Sequence, residues 1–150
     1  MSEQTAEVRI RALQDFDLGG IVALDEKISG LYRPEVWETR LSYYMRRDPE
    51  GSVVAESGGK VVGFMLGEVR SGEFGLEEPT GWIEVLGVDP DSRGQAVGRQ
   101  LADRMLDHFR ELGAKTVRTL VDEETMEGIA QFFTALDFET GSLRSFVKKL

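Results

Sequence analysis

The sequence contains no cysteine, only one histidine, and no uncharged apolar run of about 18 residues that would cross a membrane. Without cysteine there can be no disulfide, no thiolate metal site and no covalent thiol intermediate. The single histidine, His108, borders an apolar helical stripe, which favours a surface or boundary role over catalysis. No metal-ligand spacing is present. Because Met1 to Glu7 is polar, we expect no secretion signal and a cytoplasmic location.

The chain is also poor in positive charge, and its formal net charge is -9. A negative field repels phosphate backbones and attracts amines, so nucleic acid is not an expected partner. The alternative is that the acidic surface only keeps the protein soluble. A length of 150 residues with 41% hydrophobic residues suits one domain, which we assign to residues 1–150.

Hydrophobic periodicity divides the chain into short strands and amphipathic helices. The predicted order is β-α-α-β-β-β-α-β-α-β-β, with about seven strands in a mixed sheet and four helices. Ser57-Gly58-Gly59 predicts a hairpin, Pro34 the first turn of the second helix, and Thr125 the cap of the last helix. The tail from Phe138 to Leu150 is predicted to hold the last two strands. The fold class is therefore α/β with a mixed sheet.

The most informative segment is a strand, Trp82 to Val88, followed by the turn Asp89-Pro90-Asp91 and a glycine-bearing helix start. Free N–H groups and the positive end of the helix dipole make such a helix start an anion site. Gly94 and Gly98 allow close approach, and Arg93 and Arg99 add positive charge. The segment predicts a bound phosphate or pyrophosphate. The alternative is that the glycines only let the helix pack closely on a strand.

Two motifs carry a resemblance to a known family. Leu86-Gly87-Val88-Asp89-Pro90 followed by Arg93-Gly94-Gln95-Ala96-Val97-Gly98 is similar to a Leu-x-Val-x-Pro strand end and the R/Q-x-x-G-x-G/A helix start. Residues 129–138 loosely resemble a second, A-x-x-x-Y-x-x-x-G-F motif. With the order of elements, these motifs make the chain resemble the GCN5-related N-acetyltransferase (GNAT) superfamily.

The resemblance implies that acetyl-CoA lies in a gap between the strands predicted at Trp82 to Val88 and Thr116 to Val121. Main-chain groups of Leu86, Gly87 and Val88 would bind the pantetheine and the acyl carbonyl. The other positions implied to bind the cofactor are Arg93, Gly94, Gln95, Ala96, Val97, Gly98, Arg99 and Phe133. No metal is implied.

The sequence also departs from the family pattern. Ala96 stands where the first signature glycine usually lies. A right-handed helical conformation there, which we favour, would be harmless; the alternative is that its methyl group crowds the pyrophosphate or excludes a positive φ and lowers cofactor affinity. Phe133 replaces a tyrosine that protonates the departing thiolate in many members; we expect it to pack in the core, with contact to the cofactor left open besides. Asp137 replaces the glycine before Phe138, and Met126 replaces an asparagine.

Direct acyl transfer requires a neutral amine, so a base must accept a proton. Glu84 is the first candidate, because strand alternation without a bulge puts it on the face of Leu86 and Val88. Related enzymes often carry a glutamate here; the alternative is a solvated strand residue. Glu68 is a weaker candidate that lines the acceptor cleft. The aromatic residues of the helical N-terminal region are predicted either to hold a cationic substrate or to pack helices; they are Tyr32, Trp37, Tyr43 and Tyr44.

The sequence therefore predicts an N-acetyltransferase that moves an acetyl group from acetyl-CoA directly to a primary amine of a small molecule, peptide or protein. A catalytically silent acyl-CoA sensor or interaction module is the alternative. The expected partners are an acyl-CoA and an amine acceptor, with no nucleic acid and no membrane. A homodimer is left open.

Overall fold

A computed structural model describes residues 7–150 of the chain, with the backbone alone described at residues 93–95. The described chain falls into two compact units that divide between Leu120 and Val121. The assignment of residues 1–150 to a single domain stays a prediction.

The first unit contains all five strands of the sheet found in the described residues. The strands are β1 (Val8–Ala12), β2 (Val53–Ser57), β3 (Lys60–Arg70), β4 (Thr80–Val88) and β5 (Thr116–Thr119). They lie in the order β1-β2-β3-β4-β5. All neighbouring pairs are antiparallel except β4 and β5, which are parallel. The predicted mixed sheet is confirmed.

Four α-helices accompany the sheet in the described chain. They are α1 (Leu18–Ser29), α2 (Pro34–Arg47), α3 (Val97–Glu111) and α4 (Ile129–Ala135). Three short 3₁₀ turns precede α1, β4 and α3; they are Asp15–Asp17, Glu73–Gly75 and Pro90–Gln95. The helices α1, α2 and α3 belong to the first unit, and α4 belongs to the second.

The sheet has a different helix layer on each face. One face carries a buried cluster shared with α1 and α2, which includes Ile21, Trp37, Leu41 and Phe64. On the other face, a Cβ placed at Gly63 would meet Val97 and Leu101 of α3. These two faces provide the frame in which the site residues are positioned, because residues paired across strands share a face.

Two sequence predictions need correction. The described chain has five strands rather than seven, because no strand follows α4. Phe146 and Val147 of the tail are 89% and 90% exposed, so the segment lacks the buried face and ladder partner that a strand requires. In addition, α4 begins after Gly128, which has φ 79°, and not at Thr125. Pro34 does open α2, as predicted.

None of the helices in the described part of the chain is long and apolar enough to span a membrane. Among the same residues, no group of three or more histidine, aspartate and glutamate side chains is arranged to hold a metal ion. His108 lies at the edge of α3, where its Nε2 is 2.8 Å from Oδ2 of Asp48. Its contacts in the first unit are those of a partly buried boundary residue.

Candidate active site

The pairing between β4 and β5 stops partway along β4. The two strands are in register from Thr80 and Thr116 to Ile83 and Thr119. There β5 ends, whereas β4 continues to Val88 and stays paired with β3 on its other edge. In the described sheet, the main-chain groups that β4 directs away from β3 after Ile83 therefore have no partner strand. The Thr119 hydroxyl donates to the Ile83 carbonyl at 2.9 Å and closes the last shared position.

The loop after β4 carries a strained residue at the start of α3. Ala96 has φ 56° and ψ 30°, a left-handed conformation, so the right-handed geometry expected from the sequence is wrong. The reason is that Ala96 joins the 3₁₀ turn to α3, where the chain must change direction. A left-handed conformation costs an L-residue roughly 1–2 kcal/mol relative to glycine. The position therefore has the geometry that favours the signature glycine.

The N-terminus of α3 offers free main-chain donors. The Gln100 N–H bonds to the Ala96 carbonyl at 3.1 Å, so the N–H groups of Val97, Gly98 and Arg99 have no acceptor within the helix. The N-cap residue is an alanine, whose side chain cannot cap this end. Three such donors at the positive end of a 15-residue helix are a geometry that suits an anion. At residues 93–95 only the backbone is described, so the positive charge predicted from the Arg93 side chain lies outside the described residues. The main-chain contacts predicted for Gly94 and Gln95 stay predictions.

A β-bulge fixes the direction of Glu84. Leu66 pairs with Val85 and Gly67 pairs with Ile83, which leaves Glu84 as an extra residue in β4. A bulge puts two successive side chains on one face. Val85 packs against the cluster beneath α1 and α2, and Glu84 accepts a hydrogen bond from Tyr44 of α2 at 3.0 Å.

The expectation that Glu84 shares a face with Leu86 and Val88 is therefore wrong. Val88 pairs with Gly63, whose face is covered by α3, and Leu86 follows the same alternation. The sequence held one signal of the bulge. A Cβ at Gly67, in the interior of β3, would lie 1.9 Å from the Trp82 carbonyl oxygen, and a glycine inside a strand often marks such a site.

A hydrogen-bonded group of six side chains, which we call the carboxylate cluster, surrounds Glu84. Its members are Tyr43, Tyr44, Arg47, Glu68, Arg70 and Glu84. The Arg70 guanidinium donates to both oxygens of Glu84, at 2.8 and 3.0 Å, and to Glu68 at 2.7 Å. Tyr43 donates to Glu68 at 2.8 Å. The cluster joins α2 to β3 and β4 on the face opposite α3.

Contacts in the cluster raise the pKa of both tyrosines and lower the pKa of Glu68. Burial acts to raise the pKa of Glu68, but hydrogen bonds from Arg70 and Tyr43 and the charge of Arg47 outweigh it and hold that pKa below its ordinary value. Burial and the negative charge of Glu84 raise the pKa of Tyr44. Hydrogen bonds to Glu84 and Glu68 raise the pKa of Arg70 despite its partial burial. Tyr44 is thus a hydroxyl donor and not a base.

Comparison with known proteins places the chain in a family. Residues 21–138 match the acetyltransferase (GNAT) family. The chain belongs to this family. Over 96 residues, 61% of the chain, it is 41% identical to the mycothiol acetyltransferase of Thermobifida fusca. It is 28% identical over 109 residues, 72% of the chain, to an uncharacterized N-acetyltransferase of Methanocaldococcus jannaschii. The aligned regions span 29% and 48% of these two curated relatives.

Solved GNAT structures share the fold of the chain. The aminoglycoside N-acetyltransferase AAC(6')-Iy, solved in complex with CoA, has a TM-score of 0.81 and 19% identity, and the match covers 99% of both chains. Ard1 from Thermoplasma volcanium has a TM-score of 0.73 and 24% identity, over 90% of this chain and 84% of the other. At these identities the likeness concerns the fold alone.

Within the second unit, Phe133 is a packing residue. It is 5% exposed, and its ring centroid lies 5.0 Å from those of both Phe132 and Phe138. Asp137 has φ 67°, a conformation that suits the glycine of the family motif. The core-packing interpretation of Phe133 is confirmed, and its contact with a cofactor stays a prediction.

The roles of the aromatic residues follow from the sequence only in part, and the role of Arg70 was not predicted. Trp37 is 1% exposed and packs edge-on against Phe64, as helix packing predicts. Tyr43 and Tyr44 serve chiefly as hydrogen-bond donors to carboxylates. Arg70 lies two residues after Glu68 and so shares its face, a spacing that could have signalled the ion pair.

Proposed function

We propose that the chain is an acetyl-CoA-dependent N-acetyltransferase that transfers the acetyl group directly to a primary amine. The observation that carries the proposal is the unpaired second half of β4 beside the uncapped start of α3. The unpaired half of β4 supplies main-chain groups for the amides of the pantetheine arm. The start of α3 supplies N–H donors for the pyrophosphate. Both belong to the first unit of the chain.

The pantetheine arm would occupy the place of a missing strand. Its amides would bond to the main chain of Leu86, Gly87 and Val88, in the manner of a peptide added to a sheet edge. The diphosphate would then accept from the N–H groups of Val97, Gly98 and Arg99. Arg93, Gly94, Gln95 and Ala96 form the preceding loop. Because these contacts use the main chain, tolerance of side-chain variation is expected here.

Glu84 would receive the acceptor amine on the face of β4 that carries the carboxylate cluster. Its side chain is 31% exposed, whereas the Glu68 side chain is 3% exposed, so Glu84 is the carboxylate within reach. An alkyl amine with a pKa of about 10 is protonated at neutral pH and must lose a proton before attack. Glu84, directly or through water, would take this proton and anchor the ammonium group beforehand.

The reaction then balances without a covalent enzyme intermediate. The neutral amine nitrogen attacks the thioester carbonyl, and a main-chain N–H of the open half of β4 stabilises the oxyanion. Attack forms the C–N bond. The nitrogen then gives its remaining ammonium proton to water, and collapse of the tetrahedral intermediate restores the C=O bond, breaks the C–S bond and releases the CoA thiolate. A thiol pKa of about 8.5 makes this thiolate a tolerable leaving group. Water can protonate it afterwards, because Phe133 has no hydroxyl group that could donate a proton.

A catalytically silent acyl-CoA sensor is the second candidate. It is favoured by Phe133, which has no hydroxyl group, and by the strained Ala96 in the phosphate loop. Cytoplasmic location and homodimerisation stay predictions of the sequence.

Thiol release from acetyl-CoA, measured with a panel of amines, tests the proposal. The panel should include single amines, polyamines, aminoglycosides and N-terminal peptides, with CoA binding followed by calorimetry. Thiol release that depends on an amine supports the enzyme. Saturable CoA binding without thiol release supports the sensor, and no CoA binding would overturn both and leave an interaction module.

A further inference from the structure

The carboxylate oxygens of the cluster are almost fully occupied by the protein's own donors. Glu68 accepts from Arg70 and Tyr43 through Oε1 and from Arg47 through Oε2, at 2.7 to 3.2 Å. Glu84 accepts from Tyr44 and Arg70 through Oε1 and from Arg70 through Oε2. A carboxylate oxygen has about two lone-pair directions. The main vacancy that solvent can reach is therefore on Oε2 of Glu84.

The formal charges around Arg70 likewise leave room for one additional cation. Glu68, Glu73 and Glu84 lie within 3.5 Å of the Arg70 guanidinium, and Arg47 bonds to Glu68. These three carboxylates and two guanidinium groups leave one formal negative charge. One ammonium group can thus be accommodated beside Glu84. A second ammonium that binds the same carboxylate oxygens would have to displace the Arg70 guanidinium. Arg70 holds both oxygens of Glu84 through charge-assisted hydrogen bonds, which are among the stronger contacts that side chains make.

We propose that Arg70 is a specificity-determining residue that selects acceptors with a single ammonium group and disfavours polycationic amines. This inference rests on the proposed function, which puts the acceptor amine beside Glu84. Arg70 occupies the position that a second substrate cation would otherwise take, and Tyr44 and Tyr43 fill the remaining donor positions. The ammonium group of a monoamine can bind to the open Oε2 of Glu84, whereas a further ammonium group of a polyamine is repelled by the positively charged Arg70 guanidinium.

Arg70→Gln and Arg47→Gln provide a matched test, because each removes one positive charge from the cluster but only Arg70 bonds to Glu84. The probes are spermidine, which carries several ammonium groups, and butylamine, which carries one. For each amine, kcat/KM is measured by thiol release from acetyl-CoA. We expect Arg70→Gln to raise the spermidine-to-butylamine ratio about tenfold or more. Arg47→Gln should change that ratio less than about threefold, because Arg47 bonds to the buried Glu68 and not to Glu84.

Spermidine binding to the CoA complex, followed by calorimetry, gives a readout that does not need turnover. Arg70→Gln should bind spermidine at least about tenfold more tightly than the unmodified protein. Arg70→Lys keeps the charge but cannot donate to both oxygens, so it should give a smaller gain and guards against a folding defect in the glutamine variant. Equal spermidine affinity in all variants, or an equal gain in Arg47→Gln, would overturn the role of Arg70. Absence of thiol release with every amine would instead overturn the proposed function.

Discussion

The two halves of β4 share one neighbour and differ in the other. From Thr80 to Ile83 the strand lies between β3 and β5, and both edges are paired. In the described sheet, Val85 to Val88 are paired on the β3 edge alone, after the bulged residue Glu84. The change falls at the bulge, which also turns Glu84 toward α2. One strand thereby combines a closed half that builds the core and an open half that has no strand beside its second edge in the described sheet.

The largest expected effect concerns the open half, where Glu84→Gln removes the proposed base but keeps the shape of the side chain. We expect turnover to fall by about 10²- to 10⁴-fold, as is typical for a well-placed general base. The affinity for acetyl-CoA should not change, because the cofactor is held by the main chain. Stopped-flow thiol release and calorimetry measure the two quantities. Glu38→Gln, at an exposed position of α2, is the control, and equal turnover in both variants would remove Glu84 from the mechanism.

A smaller effect is expected in the closed half, where Gly81→Ala should weaken folding. An added Cβ would lie 2.4 Å from Cδ2 of Phe109, which is fully buried in α3. We expect the free energy of unfolding in urea to fall by about 2 kcal/mol, the usual cost of overpacking. The matched control is Gly19→Ala in α1, where nothing lies within 4 Å and a gain of about 0.5–1 kcal/mol is expected. A neutral Gly81→Ala would show that this half is loosely packed.

The smallest effect is expected at the loop that leads from the open half to α3. Ala96→Gly should stabilise the protein by about 0.5 kcal/mol, because relief of left-handed strain exceeds the added chain entropy. Ala96→Val should destabilise it, since a β-branched residue fits this conformation poorly. Urea unfolding of the pair checks the signs. A loss of stability in Ala96→Gly would mean that the left-handed conformation is not the strained one.

The sequence predicted most of the frame because local rules determine it. Pro34 opens α2, and alternation located β1 to β5 within a few residues of their observed ends. The helix start at Val97 follows from Asp89-Pro90 and the apolar stripe of α3. The tail misled the same reasoning, because a few alternating apolar residues form a strand only where a partner edge is available.

The site was harder to predict because it depends on pairing between distant residues. The bulge at Glu84 is a mismatch in register between β3 and β4, and only Gly67 hinted at it. The left-handed Ala96 contradicts the preference of its own residue type. Arg70 was missed because its meaning depends on Glu84, 14 residues away, and on two tyrosines of α2. Sequence spacing alone cannot bring these groups together.

Amide-resolved hydrogen exchange with and without saturating CoA tests the central claim most directly. We predict that exchange slows at the N–H groups of Val97, Gly98 and Arg99 and in the open half of β4. Exchange at Thr80 to Ile83, where both edges are already paired, should not change. Saturated CoA binding that leaves exchange unaltered at the start of α3 and in the open half of β4 would contradict the account.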